Sequence, residues 1–133
     1  MADPNNPVAD VMSRGAISVD EKLTLRSLAA VLADLDIGVA IVRRPDRAVG
    51  VVSERDIVRA LADGADPDEV WASDVASDDI VFAEPDDTIV DVADRMSMEA
   101  VRHVTVVERG AIVGVVSSRD ILPALIDFAR ATL

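Results

Sequence analysis

The sequence predicts an α+β protein of two pseudo-symmetric halves, each ordered strand, helix, strand, strand, helix. Three observations carry this prediction. The stretch Gly50-Val51-Val52-Ser53-Glu54-Arg55-Asp56 returns as Gly114-Val115-Val116-Ser117-Ser118-Arg119-Asp120, 64 positions later. The same offset matches Asp10-Val11 with Asp74-Val75, Thr24-Leu25 with Thr88-Ile89, Leu28-Ala29 with Val92-Ala93, and Ala60-Leu61 with Ala124-Leu125. Short apolar runs suited to strands alternate with amphipathic stretches suited to helices. Two copies in a chain of 133 residues point to a pair sharing one core, not to a solenoid.

Taken in order, residues 1–7 read as a disordered or loosely packed lead-in. Val8 to Met12 suits one helical turn and Ala16 to Val19 a short strand. Asp20-Glu21 precedes a helix whose apolar face is Leu25, Leu28, Ala29 and Leu32, the spacing of one helical stripe. Ile37-Gly38 leads into the buried strand Val39 to Val42. Arg43-Arg44-Pro45-Asp46-Arg47 is turn chemistry, so a hairpin joins that strand to Ala48–Val52. The next helix runs from about Glu54 to Asp63 and stops at Gly64.

Residues 65–79 connect the halves, with a helical turn expected at Asp68-Glu69-Val70-Trp71 and Trp71 expected as a packing anchor. The second half repeats the order. Ile80 to Ala83 is a strand, and Ile89, Val92, Ala93 and Met96 face the core from a helix. Val104–Val107 and Ala111–Val116 flank the turn Glu108-Arg109-Gly110, and a helix follows from about Ser118 to the C-terminus. Pro123 removes one hydrogen bond from that helix, which predicts a bend over residues 119–123. The domain boundaries are 8–64, a linker over 65–79, and 80–133.

Composition excludes several classes of function. The net charge of −12 leaves no basic surface for nucleic acid, though a local pair of arginines can still hold a small anion. No apolar run is long enough for a membrane span, and the first residues lack a signal peptide's basic start and apolar stretch, so the expected compartment is the cytoplasm. Without cysteine there is no disulfide frame and no thiolate chemistry, and the one histidine is a poor metal candidate. No nucleophile with a base is visible, and the linker acids lack calcium-loop spacing. The expectation is a protein that is not an enzyme.

The repeated motif is where binding chemistry concentrates. A strand end runs straight into a helix whose first N–H groups suit an anion. Ser53 and Ser117 are preferred N-caps, Arg55 and Arg119 add positive charge, and Asp56 and Asp120 add two-oxygen acceptors. The same residues also read as helix caps alone, which stabilise a helix by about 0.5–2 kcal/mol with no ligand. Arg102 and His103 read equally as a solvated edge.

The doubled Gly-Val-Val-Ser-x-Arg-Asp, with Leu28-Ala29 or Val92-Ala93 before it and Val101-Arg102-His103-Val104 at a strand entry, resembles a tandem pair of cystathionine-β-synthase (CBS) domains, a Bateman module. The resemblance covers residues from about 8 to 133. It implies two β-α-β-β-α halves packed sheet to sheet about a pseudo-dyad, with two clefts that commonly hold adenosine ligands such as AMP, ADP or ATP, or NAD or S-adenosylmethionine. By the resemblance, Asp120 accepts from ribose hydroxyls, Ser117, Arg119 and Arg102 hold phosphate, and Ile17 and Ile37 wall the adenine. The other cleft uses Asp56, Ser53 and Arg55, with Val81 and Val101 across it. Gly38 stands where the second half has Arg102, and Glu54 puts an acid near the first phosphate position, so the Asp120 cleft is expected to be the better anion site.

The resemblance further implies a regulatory module that signals to a separate effector protein and needs no cofactor. It also implies a homodimer through the motif helices, whose Ile57, Ala60, Leu61, Ile121, Leu122, Leu125, Ile126 and Phe128 form a wide apolar surface. A ligand-free oligomerisation or scaffold module is the alternative.

Overall fold

Val39-Ala40-Ile41-Val42 and Val104-Thr105-Val106-Val107 are dominated by β-branched residues, and each becomes an inner strand of a sheet. The computed structural model describes residues 3–78 and 80–132. The expected linker end at Asp79 and the chain end at Leu133 lie outside the described residues. In chain order the elements are β1 (Ser13–Arg14), β2 (Ser18–Asp20), α1 (Leu25–Leu35), β3 (Val39–Arg44), β4 (Arg47–Ser53), α2 (Glu54–Ala62) and α3 (Ala72–Val75). They continue with β5 (Phe82–Ala83), α4 (Ile89–Glu99), β6 (His103–Glu108), β7 (Ala111–Ser117) and α5 (Ser118–Thr132). A 3₁₀ turn over Val8–Asp10 precedes them. The α+β class and the strand-helix-strand-strand-helix order of each half are therefore observed. Among the described residues no helix is long and apolar enough to cross a membrane.

The chain forms two compact units, one contiguous and one composite. The contiguous unit is Ile17–Ile80, and the composite unit joins Met1–Ala16 to Val81–Leu133. In the contiguous unit β2 pairs in parallel with β3, and β3 pairs antiparallel with β4. In the composite unit the order is β1-β7-β6-β5, with β5 parallel to β6 and the other pairs antiparallel. Both hairpins shift register at matching places, Val42/Arg43 and Val106/Val107.

Each unit buries its own aliphatic core. Leu25, Leu28, Leu32, Val42 and Val52 fill one, and Ile89, Val92, Met96, Val104 and Val116 the other. Thr24 and Thr88 cap α1 and α4 through their side chains. Both helices end on a left-handed residue, Asp36 at φ 51° and Ala100 at φ 56°. Ala29, expected on the core face of α1, is exposed instead. It turns toward α2, because the burying stripe is only as wide as Leu25, Leu28 and Leu32 require.

The lead-in is the main correction. Pro4 is buried, and its carbonyl accepts from Val90 N–H at 2.9 Å; Asn6 carbonyl accepts from Ile89 N–H at 3.0 Å. Those first-turn N–H groups of α4 need partners, and the N-terminal segment supplies them. Val8 is fully buried in the composite core. The linker does the same for α1: Leu25 N–H donates to Val70 carbonyl and Arg26 N–H to Pro67 carbonyl, both at 3.0 Å. The turn expected at Asp68–Trp71 is found slightly earlier, over Asp66–Val70, where Val70 N–H donates to Asp66 carbonyl at 3.0 Å, and a short helix follows at Ala72–Val75, where Ala72 is fully buried. Trp71 is 42% exposed, with Lys22 Nζ 5.8 Å from its ring centre. Its backbone, bridged to Thr24, does the anchoring. Helix α5 runs unbroken across Pro123.

Candidate functional site

The same polar assembly closes the last strand of both units, β4 at Ser53 and β7 at Ser117. In the contiguous unit Asp56 Oδ2 accepts from Ser53 N–H at 2.8 Å and from Ser53 Oγ–H at 3.0 Å. Asp56 N–H donates back to Ser53 Oγ at 3.3 Å. In the composite unit Asp120 Oδ2 accepts from Ser117 N–H at 2.8 Å and Oγ–H at 3.0 Å, and Asp120 N–H returns to Ser117 Oγ at 3.2 Å. These are capping boxes with Asp in the third position. Within the box each serine hydroxyl donates once and accepts once, so its one proton is committed to the aspartate. Among the described residues neither carboxylate's second oxygen, Oδ1, has a hydrogen-bond partner, and each is held by a half-buried side chain that cannot swing away without breaking the box.

The glycines of the motif set the strand ends. A β-carbon on Gly50 would lie 2.6 Å from Ser77 carbonyl oxygen, and one on Gly114 would lie 2.6 Å from Ser13 carbonyl oxygen. The space goes to a neighbouring backbone: Val51 and Ser77 exchange N–H···O bonds of 2.9 and 2.8 Å, and β1 pairs with β7.

The other sequence-derived residues fall as follows. In the contiguous unit Ile17 carbonyl accepts from Ile41 N–H at 2.8 Å, Ile37 N–H donates to Leu32 carbonyl, and Gly38 carbonyl accepts from Glu54 N–H at 3.0 Å. In the composite unit Val81 carbonyl accepts from Thr105 N–H at 3.0 Å, Val101 N–H donates to Met96 carbonyl, and Arg102 carbonyl accepts from Ser118 N–H at 2.9 Å. Residue 102 is thereby stitched to the first residue of α5, as Gly38 is to that of α2. His103 lies opposite Ser117 in register. Arg55, Arg102 and Arg119 are exposed, and among the described residues none makes an ion pair. Three cations with no internal partner beside helix starts can meet an anion from solution.

Glu54, the exposed first residue of α2, lines the groove between α1 and α2 with Ala29, Leu32, Asp36, Ile57 and Val58. One helical turn puts residues 54, 57 and 58 on one face, whereas Asp56 folds back toward Ser53.

One feature was not legible in the sequence. A surface depression of about 660 Å³ is lined by Phe82, Glu84, Asp87, Arg95, Val107 and Arg109, at the hairpin end of β6 and β7 and so away from the motif. Arg95 Nη1 donates to Phe82 carbonyl at 2.6 Å and lies 3.3 Å from Asp87 Oδ2. No spacing pattern marks it, because it joins a strand, a helix and a turn far apart in sequence. Among the described residues no group of three or more His, Asp or Glu side chains comes close enough to hold a metal.

The comparisons with known proteins bear on this geometry. Hypoxic response protein 1 of Mycobacterium tuberculosis is 34% identical over 129 residues, covering 92% of this chain and 90% of that protein. An uncharacterized protein of Methanocaldococcus jannaschii is 30% identical over 126 residues, covering 94% of this chain; the chain spans only 45% of that relative's length. A solved structure of a CBS domain protein from Pyrobaculum aerophilum, complexed with AMP, superposes with a TM-score of 0.79 at 34% identity, over 93% of this chain and 98% of that one. The model of the CBS domain family matches twice, over residues 8–63 and 72–127. With both repeats matched and each carrying the same capped carboxylate, the chain belongs to the CBS domain family, as a tandem pair of CBS domains.

Proposed function

We propose that this protein is a non-catalytic regulatory module that binds an adenosine-containing ligand and passes its bound state to a partner protein. The observation that carries the reading is the pair of held carboxylates, each with one oxygen engaged in its capping box and the other without a partner. A carboxylate fixed in place is suited to two vicinal hydroxyls, the chemistry of a ribose, because the acceptor is ordered before the ligand arrives. The helix start and the unpaired Arg102 and Arg119 suit a phosphate near the Asp120 box. The relative complexed with AMP supports adenosine as the ligand class. Arg102 stands against Gly38 at the matching position, which favours the Asp120 box for nucleotides and leaves the Asp56 box less cationic.

No group in either box is poised as a base or nucleophile, since each serine hydroxyl already donates to its aspartate and accepts from a backbone N–H. In this reading ATP or ADP with Mg²⁺ is bound and released intact. The reading includes a homodimer, formed through the exposed apolar residues of α2 and α5.

A second reading is favoured by one specific observation: both boxes are complete without a ligand. On that reading the chain is a scaffold that kept the caps. Thermal shift with AMP, ADP, ATP, NAD and S-adenosylmethionine separates the two. Saturable stabilisation by at least one of them is expected, since a ligand at 100 times its Kd raises stability by about 2.7 kcal/mol. No shift with any member of the panel at millimolar concentration overturns the ligand reading.

A further inference from the structure

The two halves share a fold, so a residue that the fold needs should recur at the 64-residue offset. Around the depression at the β6–β7 hairpin the chemistry does not recur. Phe82, Asp87, Arg95 and Arg109 correspond to Ser18, Leu23, Val31 and Pro45. Leu23 and Val31 pack, partly buried, against the aliphatic core of the contiguous unit. The composite unit has the partly buried pair Asp87–Arg95 in their place, 3.3 Å apart. Exchanging such an ion pair for well-packed apolar residues is often neutral or stabilising, so folding does not account for its presence. Arg109 is equally out of place as a structural residue. Glu108 and Ala111 pair across a two-residue turn whose residues are both left-handed, Arg109 at φ 52° and Gly110 at φ 78°. That turn favours Asn or Gly at its first position, not a long side chain.

The unused groups of these residues define a chemistry. Arg95 Nη1 donates to Phe82 carbonyl and lies against Asp87, which holds the guanidinium in place and leaves Nε and Nη2 without a partner among the described residues. Arg109 is exposed and makes no ion pair among the described residues. Glu84 N–H donates to Asp87 Oδ2 at 2.9 Å, and the exposed Glu84 carboxylate makes no ion pair among the described residues. The Phe82 side chain is 51% exposed and lines the depression with half-buried Val107. Guanidinium donors, a carboxylate and an apolar wall thus share one depression of about 660 Å³, within the about 300–1,000 Å³ usual for small-molecule sites. We propose that this depression binds the zwitterion of an apolar α-amino acid. Arg95 and Arg109 take its carboxylate, Glu84 takes its ammonium, and Phe82 with Val107 covers its side chain. A plain anion would be opposed by Glu84, and a plain cation by the two arginines. The site lies at the opposite end of β7 from the Asp120 box and does not rest on the adenosine reading.

Calorimetry and thermal shift on the full chain with L-leucine and L-phenylalanine test the proposal. The controls are 3-phenylpropionate, which lacks the ammonium, and phenethylamine, which lacks the carboxylate. Saturable binding of at least one amino acid at millimolar concentration is expected, with both controls weaker than L-phenylalanine by at least about tenfold. Asp87→Leu with Arg95→Val installs the apolar pair of the other half. It should keep a cooperative melt and weaken the amino acid at least about tenfold. Arg109→Asn suits the turn, so it preserves the fold by a separate route, and it should also weaken binding. Absence of binding by either amino acid overturns the proposal. So does equal binding of either control, or amino-acid binding that persists unchanged in both variants. AMP titrated against the same variants reads the Asp120 box separately, so loss of one site is distinguished from loss of the other.

Discussion

Gly50 and Ser77 lie so close that a β-carbon on the glycine would sit 2.6 Å from the serine carbonyl oxygen. Gly114 and Ser13 repeat the relationship at the same distance. Real β-carbons do not approach backbone oxygen this closely, and the opposing atom is main chain that cannot rotate out of the way. Gly50→Ala and Gly114→Ala should therefore push the docked segment off β4 or β7. The expected cost is about 1–3 kcal/mol, the range for overpacking a filled site. Urea denaturation of each variant checks it; a loss under about 0.5 kcal/mol would mean the docked segment is loose.

The folding units are offset from the repeat. Val8 N–H donates to Asp87 carbonyl at 2.7 Å, and Ala72 N–H donates to Leu23 carbonyl at 2.7 Å. Each repeat's opening segment thus completes the other repeat's remainder. A fragment of residues 17–80 keeps Val70, Ala72 and Ser77 in place and should melt cooperatively. A fragment of residues 8–64 loses all three and carries a Val8 with no core to enter. It should show little cooperative structure by circular dichroism and little amide protection. Equal cooperativity in both fragments would refute the offset.

Asp120 serves as a cap whether or not a ligand binds, so its two roles need separate variants. Asp120→Ala empties the box and should lower stability by about 1–2 kcal/mol without ligand. Asp120→Asn keeps a side-chain carbonyl for the Ser117 donors and should cost under about 1 kcal/mol. Both should weaken an adenosine ligand, Asp120→Ala by at least about tenfold, because hydrogen bonds to a charged acceptor contribute about 1.5–3 kcal/mol each. A 2′-deoxy ligand should lose affinity for the parent protein and lose little more on the Asp120→Ala variant. Calorimetry giving equal affinities for ribose and deoxyribose forms would remove the ribose-acceptor role and leave the cap.

Arg26 ties the linker to α1 through Asp68, with Nε–Oδ1 at 2.6 Å and Nη2–Oδ2 at 3.1 Å. Hydrogen bonding and charge attraction from Arg26 hold the Asp68 carboxyl below its ordinary value. The unfolded chain then binds the proton more readily than the folded one. The pair's contribution is present above the ordinary carboxylate pKa and is lost as pH falls through the lowered folded value. Both side chains are exposed, so the effect is small. Arg26→Gln should melt slightly lower than the parent near neutral pH, and the gap should close as pH falls below the ordinary carboxylate value. A gap that widens in acid would contradict the assignment.

Much of the fold was legible because its signals are local. The hairpins follow from β-branched runs broken by Pro45-Asp46 and Arg109-Gly110, and the helices from a three-leucine or Ile-Val-Met stripe, while their caps at Thr24 and Thr88 emerged from the structure. The Ser–Asp boxes are equally local: three residues separate donor and acceptor, so spacing alone predicts them, and it predicts the cap and the ribose acceptor alike.

The sequence by itself determined the two repeats, their element order, the family, and the charge difference that separates Gly38 and Glu54 from Arg102 and Ser118. Only the tertiary structure decided where the polar lead-in and the linker go. Residues 4–8 and 67–77 carry no periodic pattern, and apart from the buried Pro4, Val8 and Ala72 what holds them is chiefly main-chain hydrogen bonding at the helix starts Leu25 and Ile89 and at the strand edge Val51. Every non-proline residue can make such bonds, so side-chain identity does not encode the partner. A different reason hid the exposure of Ala29. A helix stripe tells which residues are apolar, and the width of the neighbouring core decides how many of them it takes.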